Sequence, residues 1–334
     1  MAGSQQQKIV YLFGAGATHA EIANLEPDPQ EDTFLRERGL LIGHVSRRVI
    51  GIAQSREEYL ADIQMISGSN APQNIELLIS LIENSRIKES ETKSHILKTL
   101  VREDIEGILK MSVVGKFYLH KALLELHQHK SVKGKEKVLG LISLNYDAVL
   151  DNAYEAIYNE PPNYSFSLTD AVSNKSIPLL KLHGSFNWKN VTIRGRERSV
   201  DIIPLGTSKN YLHLPYNFIW GRALEILIQC DVLRVIGCSL SQNDMHLIDL
   251  LFKAHIEKGK AIEIQIINSD LAGDRLQGDY GFFPEIKPLT KIEHTLVPES
   301  EPLNPFKMWL AYKGRSMLKE KEVERTQYLK TVVE

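Results

Sequence analysis

Five short clusters hold the side chains of this 334-residue chain that are placed to do chemistry: Gly14-Ala15-Gly16-Ala17-Thr18, Asn145-Tyr146-Asp147, His183-Gly184-Ser185, Gly237-Cys238-Ser239-Leu240 and Asn268-Ser269-Asp270. Glycines at 14 and 16 would let the backbone approach a pyrophosphate closely, and a helix opening after them would turn free N–H groups and its positive dipole end toward an anion. The same Gly-x-Gly also reads as a tight structural turn, because His19 stands where a third glycine would be. No acidic residue closes a second strand at the usual distance of about 20 residues. Histidine titrates near neutrality, so His183 suits a general base, but it is one of 11 histidines and equally reads as structural. Asn145 and Asp147 either orient a reacting group or cap the helix behind them. Ser239 is placed to hydrogen-bond a phosphate or ribose, and Cys238 to pack.

These clusters need elements that bring them together, and each one follows an apolar run. Lys8 to Phe13 (KIVYLF) reads as a buried parallel strand, followed by a Gly-rich turn and a helix from His19 to Leu25. Val138 to Leu144, Ile177 to Leu182, Val232 to Ile236 and Ile262 to Ile267 are further strands. Helices are expected at Ala148 to Tyr158, Asn217 to Gln229 and Met245 to Ile256. Val191 to Ile203 reads either as a hairpin turning at Gly195 or as a loop. Trp188 and Trp220 read as core. The fold class expected is α/β, a Rossmann-like parallel sheet flanked by helices, in which ligands bind beyond the carboxyl ends of the strands.

One stretch does not fit a plain Rossmann fold. Ile75, Leu78, Ile79 and Ile82, then Ile96, Leu100, Ile105, Ile108 and Leu109, repeat at helical spacing among charged residues, which marks a helical insertion at about 31–130. We expect a catalytic-type domain over 1–300 and a Lys- and Glu-rich helical tail over 301–334.

Composition narrows the function classes. A formal net charge of -2 gives no global attraction to nucleic acid or to an acidic membrane. No apolar run reaches the roughly 18 residues that a membrane helix needs, and Met1 to Gln7 is polar, so a cytoplasmic protein is expected. Two cysteines, Cys230 and Cys238, cannot supply a four-thiolate zinc site, and no metal is expected.

In order along the chain, the clusters resemble those of the sirtuin-like NAD-binding family. Gly14-Ala15-Gly16-Ala17-Thr18 is similar to its phosphate turn and Asn145-Tyr146-Asp147 to its Asn-x-Asp element. Leu182-His183-Gly184 resembles its Leu-His-Gly element, Gly237-Cys238-Ser239-Leu240 its Gly-x-Ser strand end, and Ile267-Asn268 its Ile-Asn turn near adenosine. The resemblance implies NAD as substrate, held by residues 14–18, Asp147, Gly237, Ser239 and Asn268. It implies His183 as base toward a ribose hydroxyl or attacking water, with Asn145 orienting the nicotinamide ribose or that water. The zinc module of the protein deacylases is absent from this resemblance, as is their Asp-Phe-Arg element, whose place Pro27 to Arg36 takes. What remains resembles the prokaryotic antiviral-defence NAD hydrolases. The implied activity is release of nicotinamide and ADP-ribose; ADP-ribosyl or acyl transfer, or a non-catalytic NAD or ADP-ribose sensor, are the alternatives. The same resemblance implies a homo-oligomer that joins a hexameric ATPase of the DNA-translocase type or an Argonaute-like protein.

Overall fold

From Ile9 onward the first apolar run has no exposed side chain, which a strand achieves only when both faces and both edges of it are covered. This is strand β1, Gln7–Phe13, and it lies in the middle of the sheet. A computed structural model describes residues 6–25, 38–56, 74–86, 88–111, 118–128, 134–167, 176–193, 195–200, 202–203, 211–239, 244–267 and 286–288. Asn268, Leu240 and the expected tail 301–334 lie outside them.

After β1 come α1 (Ala15–Leu25), α2 (Ile42–Gln54), α3 (Ile75–Glu83), α4 (Ser90–Met111) and α5 (Tyr118–Leu126). Then follow β2 (Glu136–Ser143), α6 (Val149–Tyr158), β3 (Leu179–Lys181) and the short strands β4 (Val191–Ile193) and β5 (Arg196–Arg198). The chain continues as α7 (Tyr216–Gln229), β6 (Val232–Ile236), α8 (Met245–Lys258), β7 (Glu263–Ile267) and β8 (Ile286–Pro288). The main sheet runs β3-β2-β1-β6-β7-β8 with every neighbour parallel. Strand order therefore reverses between β1 and β6, as in a doubly wound Rossmann sheet, and a crevice opens beyond their carboxyl ends. The parallel sheet flanked by helices matches the expected fold class.

Alternation along β1 assigns the two layers. Val10 and Leu12 pack with Ile219, Ala223 and Leu227 of α7 and Leu250 and Leu251 of α8. Ile9, Tyr11 and Phe13 pack with Ala17 of α1, Leu119 and Leu123 of α5, and Leu150 and Tyr154 of α6. Helix α5, although it lies within 31–130, thus belongs to the layer on the sheet. Helices α2, α3 and α4 form a separate core from Val45, Val49, Leu78, Ile79, Leu97 and Val101. Between them, Arg48 makes a two-pronged ion pair with Asp104 at 2.8 and 2.7 Å, and Lys98 pairs with Glu83 at 2.8 Å. Residues 191–198 form an antiparallel hairpin, with Gly195 at φ 72°, a left-handed conformation that glycine adopts without strain.

Below the strand ends, four adjacent strands share a buried polar network. Arg234 of β6 donates to Glu136 of β2 at 2.6 and 2.9 Å, to the Tyr11 hydroxyl of β1 at 2.8 Å and to Gln265 of β7 at 2.8 Å. His127 sits on the same Tyr11 hydroxyl at 2.7 Å. Burial, aided by the Arg234 charge, lowers the His127 pKa to about 3. Burial, with His44 beside it, lowers that of His19 to about 4, and His19 Nδ1 accepts from the Leu40 N–H at 3.2 Å. Both rings are therefore neutral in the fold and charge on unfolding. Below the ordinary histidine value of 6.5 the unfolded chain binds the extra protons, so stability falls as pH falls. Denaturant titrations are expected to show roughly 4 kcal/mol lost between pH 7 and pH 5, about half of it recovered in His127→Gln. A flat profile would contradict this.

Candidate functional site

Strand register places the chemistry on one level. Phe13 pairs with Ser143 and with Ile236, Ser143 with Lys181, and Ile236 with Ile267. Asn145 and His183 therefore each stand two residues past paired positions on adjacent strands, and Gly14 and Gly237 each stand one residue past theirs. The turns are also tied to each other. Leu182 N–H donates to Ser143 O at 3.0 Å, Phe186 N–H to Tyr146 O at 2.9 Å, and the Ser185 hydroxyl to the same carbonyl at 3.2 Å.

At the crevice between β1 and β6 the loops meet backbone to backbone. Gly16 N–H donates to Gly237 O at 2.8 Å, and Gly14 N–H to Ile236 O at 2.9 Å. A Cβ on Gly14 would lie 2.6 Å from Gly237 O, and one on Gly237, whose φ is 59°, would lie 2.1 Å from Ala17 N. The glycines thus let two loops touch, a requirement of the fold that stands beside the two readings the sequence offered, a tight turn and the approach of a pyrophosphate. Helix α1 opens at Ala15 rather than at His19, so the Gly-rich cluster is its first turn. Ala17 N–H donates to Gly14 O at 2.9 Å, so two of the helix's opening N–H groups, those of Gly16 and Ala17, have acceptors within the protein. The dipole end still faces the crevice. Ser239 is exposed there, and Cys238 is buried.

Asn145 is held in place by its own amide. Its Nδ2 donates to Gly14 O at 3.0 Å and to the Thr18 hydroxyl at 3.1 Å, which joins the end of β2 to the first turn of α1. Asp147 bends back on itself: its Oδ1 accepts from Val149 N–H at 3.0 Å, the geometry of a helix-starting turn. Burial raises the Asp147 pKa above the ordinary carboxylate value, against the lowering effects of Lys181, the Val149 N–H and His120. Beneath it lies Lys181, fully buried at the end of β3. Its ammonium donates to the Asp147 carbonyl and pairs with Asp151 at 2.8 Å, and Asp151 also accepts from the Tyr164 hydroxyl at 2.5 Å.

His183 is buried, with Nε2 3.2 Å from Asp244 Oδ2. Asp244 is the N-cap of α8, its Oδ1 accepting from Leu247 N–H at 3.3 Å. The rings of Tyr146 and Trp220 flank the imidazole at centroid distances of 6.5 and 6.4 Å. Trp220 is itself fixed by its indole N–H donating to Leu182 O at 3.0 Å. Tyr146 reaches the insertion: its hydroxyl donates to Glu76 Oε1 of α3 at 2.8 Å. Burial, reinforced by the Glu76 carboxylate, raises the phenol pKa well above its usual value and keeps it a donor. Tyr146 and Phe186 also complete the apolar core of α2, α3 and α4. Between α4 and the turn after His183 is a cavity of about 740 Å³ lined by Lys98, Arg102, Glu106, Ser185, Phe186 and Lys189 among others.

The structure thus brings Gly14 to Thr18, Asn145, Asp147, His183 and Gly237 to one end of the sheet; Asn268 lies outside the described residues. Sequence reasoning missed Asp244, Lys181 and Glu76. Asp244 had a signal, an aspartate immediately before an amphipathic helix, but that signal announces a cap and not a partner for His183. Among the described residues, no group of three or more His, Cys, Asp or Glu side chains is placed to hold a metal ion, and no helix is long and apolar enough to cross a membrane.

Residues 140–263 match the family model described as the SIR2-like domain. No curated protein matches the chain. Among solved structures, the chain is similar to one described under the structural basis for the mechanism and regulation of Sir2 enzymes: 13% identity over 96% of this chain and 94% of that one, TM-score 0.39. It is also similar to a Sir2 homolog in complex with NAD, at 16% identity over 80% and 79% of the two chains, TM-score 0.34. A Sir2 homologue triple mutant with 2'-O-acetyl ADP-ribose aligns at 16% identity over 80% and 83%, TM-score 0.35.

Proposed function

We propose that this protein hydrolyses NAD at the bond between nicotinamide and ribose, releasing nicotinamide, ADP-ribose and a proton. The observation that carries the reading is the register of Asn145 and His183, two residues beyond paired positions of β2 and β3, beside the β1/β6 crevice. The SIR2-like match spans both residues and supports it. As the C1'–N bond breaks, its electrons leave with nicotinamide as a neutral base, so no strong general acid is required. The ribose carbon gains oxocarbenium character, and water attacks it. Asn145, locked by Gly14 and Thr18, orients the ribose or that water; His183 takes the proton. The opening of α1 faces the pyrophosphate with its dipole, and Ser239 supplies a hydroxyl.

A second reading, transfer of ADP-ribose to a protein acceptor, is favoured by the cavity lined by Ser185 and Phe186, two and three residues past His183, which has room for an acceptor side chain. The antiviral role, with turnover held back until a partner or infection signal engages the protein, rests on the resemblance. The Glu76–Tyr146 bond supports it, because it connects the helical insertion to the residue beside Asn145. A self-associating chain that docks on a hexameric ATPase or an Argonaute-like protein is the form we propose. The test is nicotinamide release from NAD by the purified protein, alone and with the product of its neighbouring gene. Stoichiometric free ADP-ribose is expected. Label appearing on protein instead would select transfer, and no nicotinamide under either condition would refute both.

A further inference from the structure

Lysine is costly inside a sheet, yet Lys181 at the end of β3 is fully buried. Side chains alternate along a strand, so Lys181 shares a face with Leu179, which packs in the α6 layer. On that side its ammonium donates to Asp151 Oδ2 in the first turn of α6 at 2.8 Å, and to the Asp147 carbonyl. Its own backbone carbonyl accepts from Gly184 N–H at 3.2 Å, which closes the turn that presents His183. One residue therefore grips both turns of the candidate site, 145–147 by its side chain and 183–185 by its main chain. Asp151 extends the grip: its Oδ1 accepts from the Tyr164 hydroxyl at 2.5 Å and from the Asn187 amide, just past the second turn, at 3.4 Å.

A buried ion pair is weak evidence for stability, since two apolar side chains of similar volume commonly serve as well. What an apolar pair lacks is a donor for the Asp147 carbonyl. We propose that Lys181 is a positioning residue that fixes Asn145 and His183 relative to each other. The proposal rests on the reading of those two as the reacting centre. The turn 145–147 carries Asn145 at one end and is held by the ammonium at the other. A displacement of about 1 Å at a reacting centre lowers a rate by about 10²-fold, so a small release of this turn is costly.

Lys181→Met/Asp151→Leu removes both charges together and takes the donor from the Asp147 carbonyl. It is expected to melt close to the wild type while losing about 10- to 10²-fold in kcat for nicotinamide release, with little change in KM. Asp151→Asn separates the clasp from the charge. Its amide oxygen still accepts from Lys181, and its NH2 donates to the Tyr164 hydroxyl, so it is expected to lose stability but to keep kcat within about threefold. Native-state hydrogen exchange reads the turns directly, because Phe186 N–H bonds across them to Tyr146 O. That amide is expected to exchange at least about 10-fold faster in the double variant, with the amides of β1 unchanged. If the double variant does not fold, Lys181→Met/Asp151→Asn, which keeps an acceptor near Tyr164, is read by the same measurements. Near-normal kcat in the double variant, wild-type protection at Phe186, or an equal loss of kcat in Asp151→Asn would overturn the proposal. So would a rate restored at high pH, which would assign the loss to the charge of the Asp147 carboxyl that Lys181 also faces. If the wild type releases no nicotinamide, the hydrolase reading fails, and exchange at Phe186 still decides whether Lys181 ties the two turns.

Discussion

Nicotinamide release is expected to drop about 10² to 10⁴-fold in His183→Ala, and by a similar factor in Asn145→Ala, with NAD still bound by both. The two variants differ in what else they disturb. Asn145 contributes two hydrogen bonds that hold the end of β2 to Gly14 and Thr18, so Asn145→Ala is expected to lose about 1 to 3 kcal/mol of stability as well. His183→Ala leaves the Asp244 carboxylate buried without the imidazole 3.2 Å from it, so His183→Gln, which keeps a polar side chain in that space, is the better-folded companion. Single-turnover assays with nicotinamide detection, alongside binding of NAD by calorimetry, separate chemistry from affinity. Retention of more than a tenth of the wild-type rate in His183→Gln would remove His183 from the reacting centre.

The largest effect on folding is expected from Gly237→Ala. A methyl there lies 2.1 Å from Ala17 N and 2.4 Å from Gly16 C, backbone atoms that cannot rotate aside, at a φ of 59° that L residues resist. The left-handed conformation costs about 1 to 2 kcal/mol and overpacking about 1 to 3 more. The sum, about 2 to 5 kcal/mol, is a large part of the roughly 5 to 15 that hold a domain together. Gly259 provides the control: its φ is 68°, yet nothing lies within 4 Å of an added Cβ, so Gly259→Ala carries only the conformational cost. Denaturant midpoints for the two variants are expected to differ by the steric part. Equal midpoints would mean that the two loops part without cost.

The strand ends were legible because each is a local signal, an apolar run that stops at Gly, Asn or His. Val232–Ile236 matches the sequence expectation at both ends, and the hairpin at Gly195 was one of two readings left open there. Helix α1 was placed four residues too late, because a Gly-Ala-Gly run has low helix propensity on its own. Contact with the β6 loop supplies what propensity lacks. Lys181 was hidden inside a strand pattern, since a lysine there reads as solvent-facing until Asp151 and the Asp147 carbonyl are brought over it. Asp244 was read past for a related reason. Its partner is fixed by where α8 begins relative to β3, a tertiary relation with no local trace in the sequence.

Arg234 gives the crevice a mechanical character. Its guanidinium spans the β1/β6 reversal, gripping β1 and β2 on one side and β7 on the other. Prying the two halves of the sheet apart would strip a buried cation of partners on one side, at a cost of about 3 to 5 kcal/mol. A clamshell motion of the halves is therefore too expensive to accompany each turnover. The jaws are welded, and the crevice is a fixed feature of the sheet rather than a hinge.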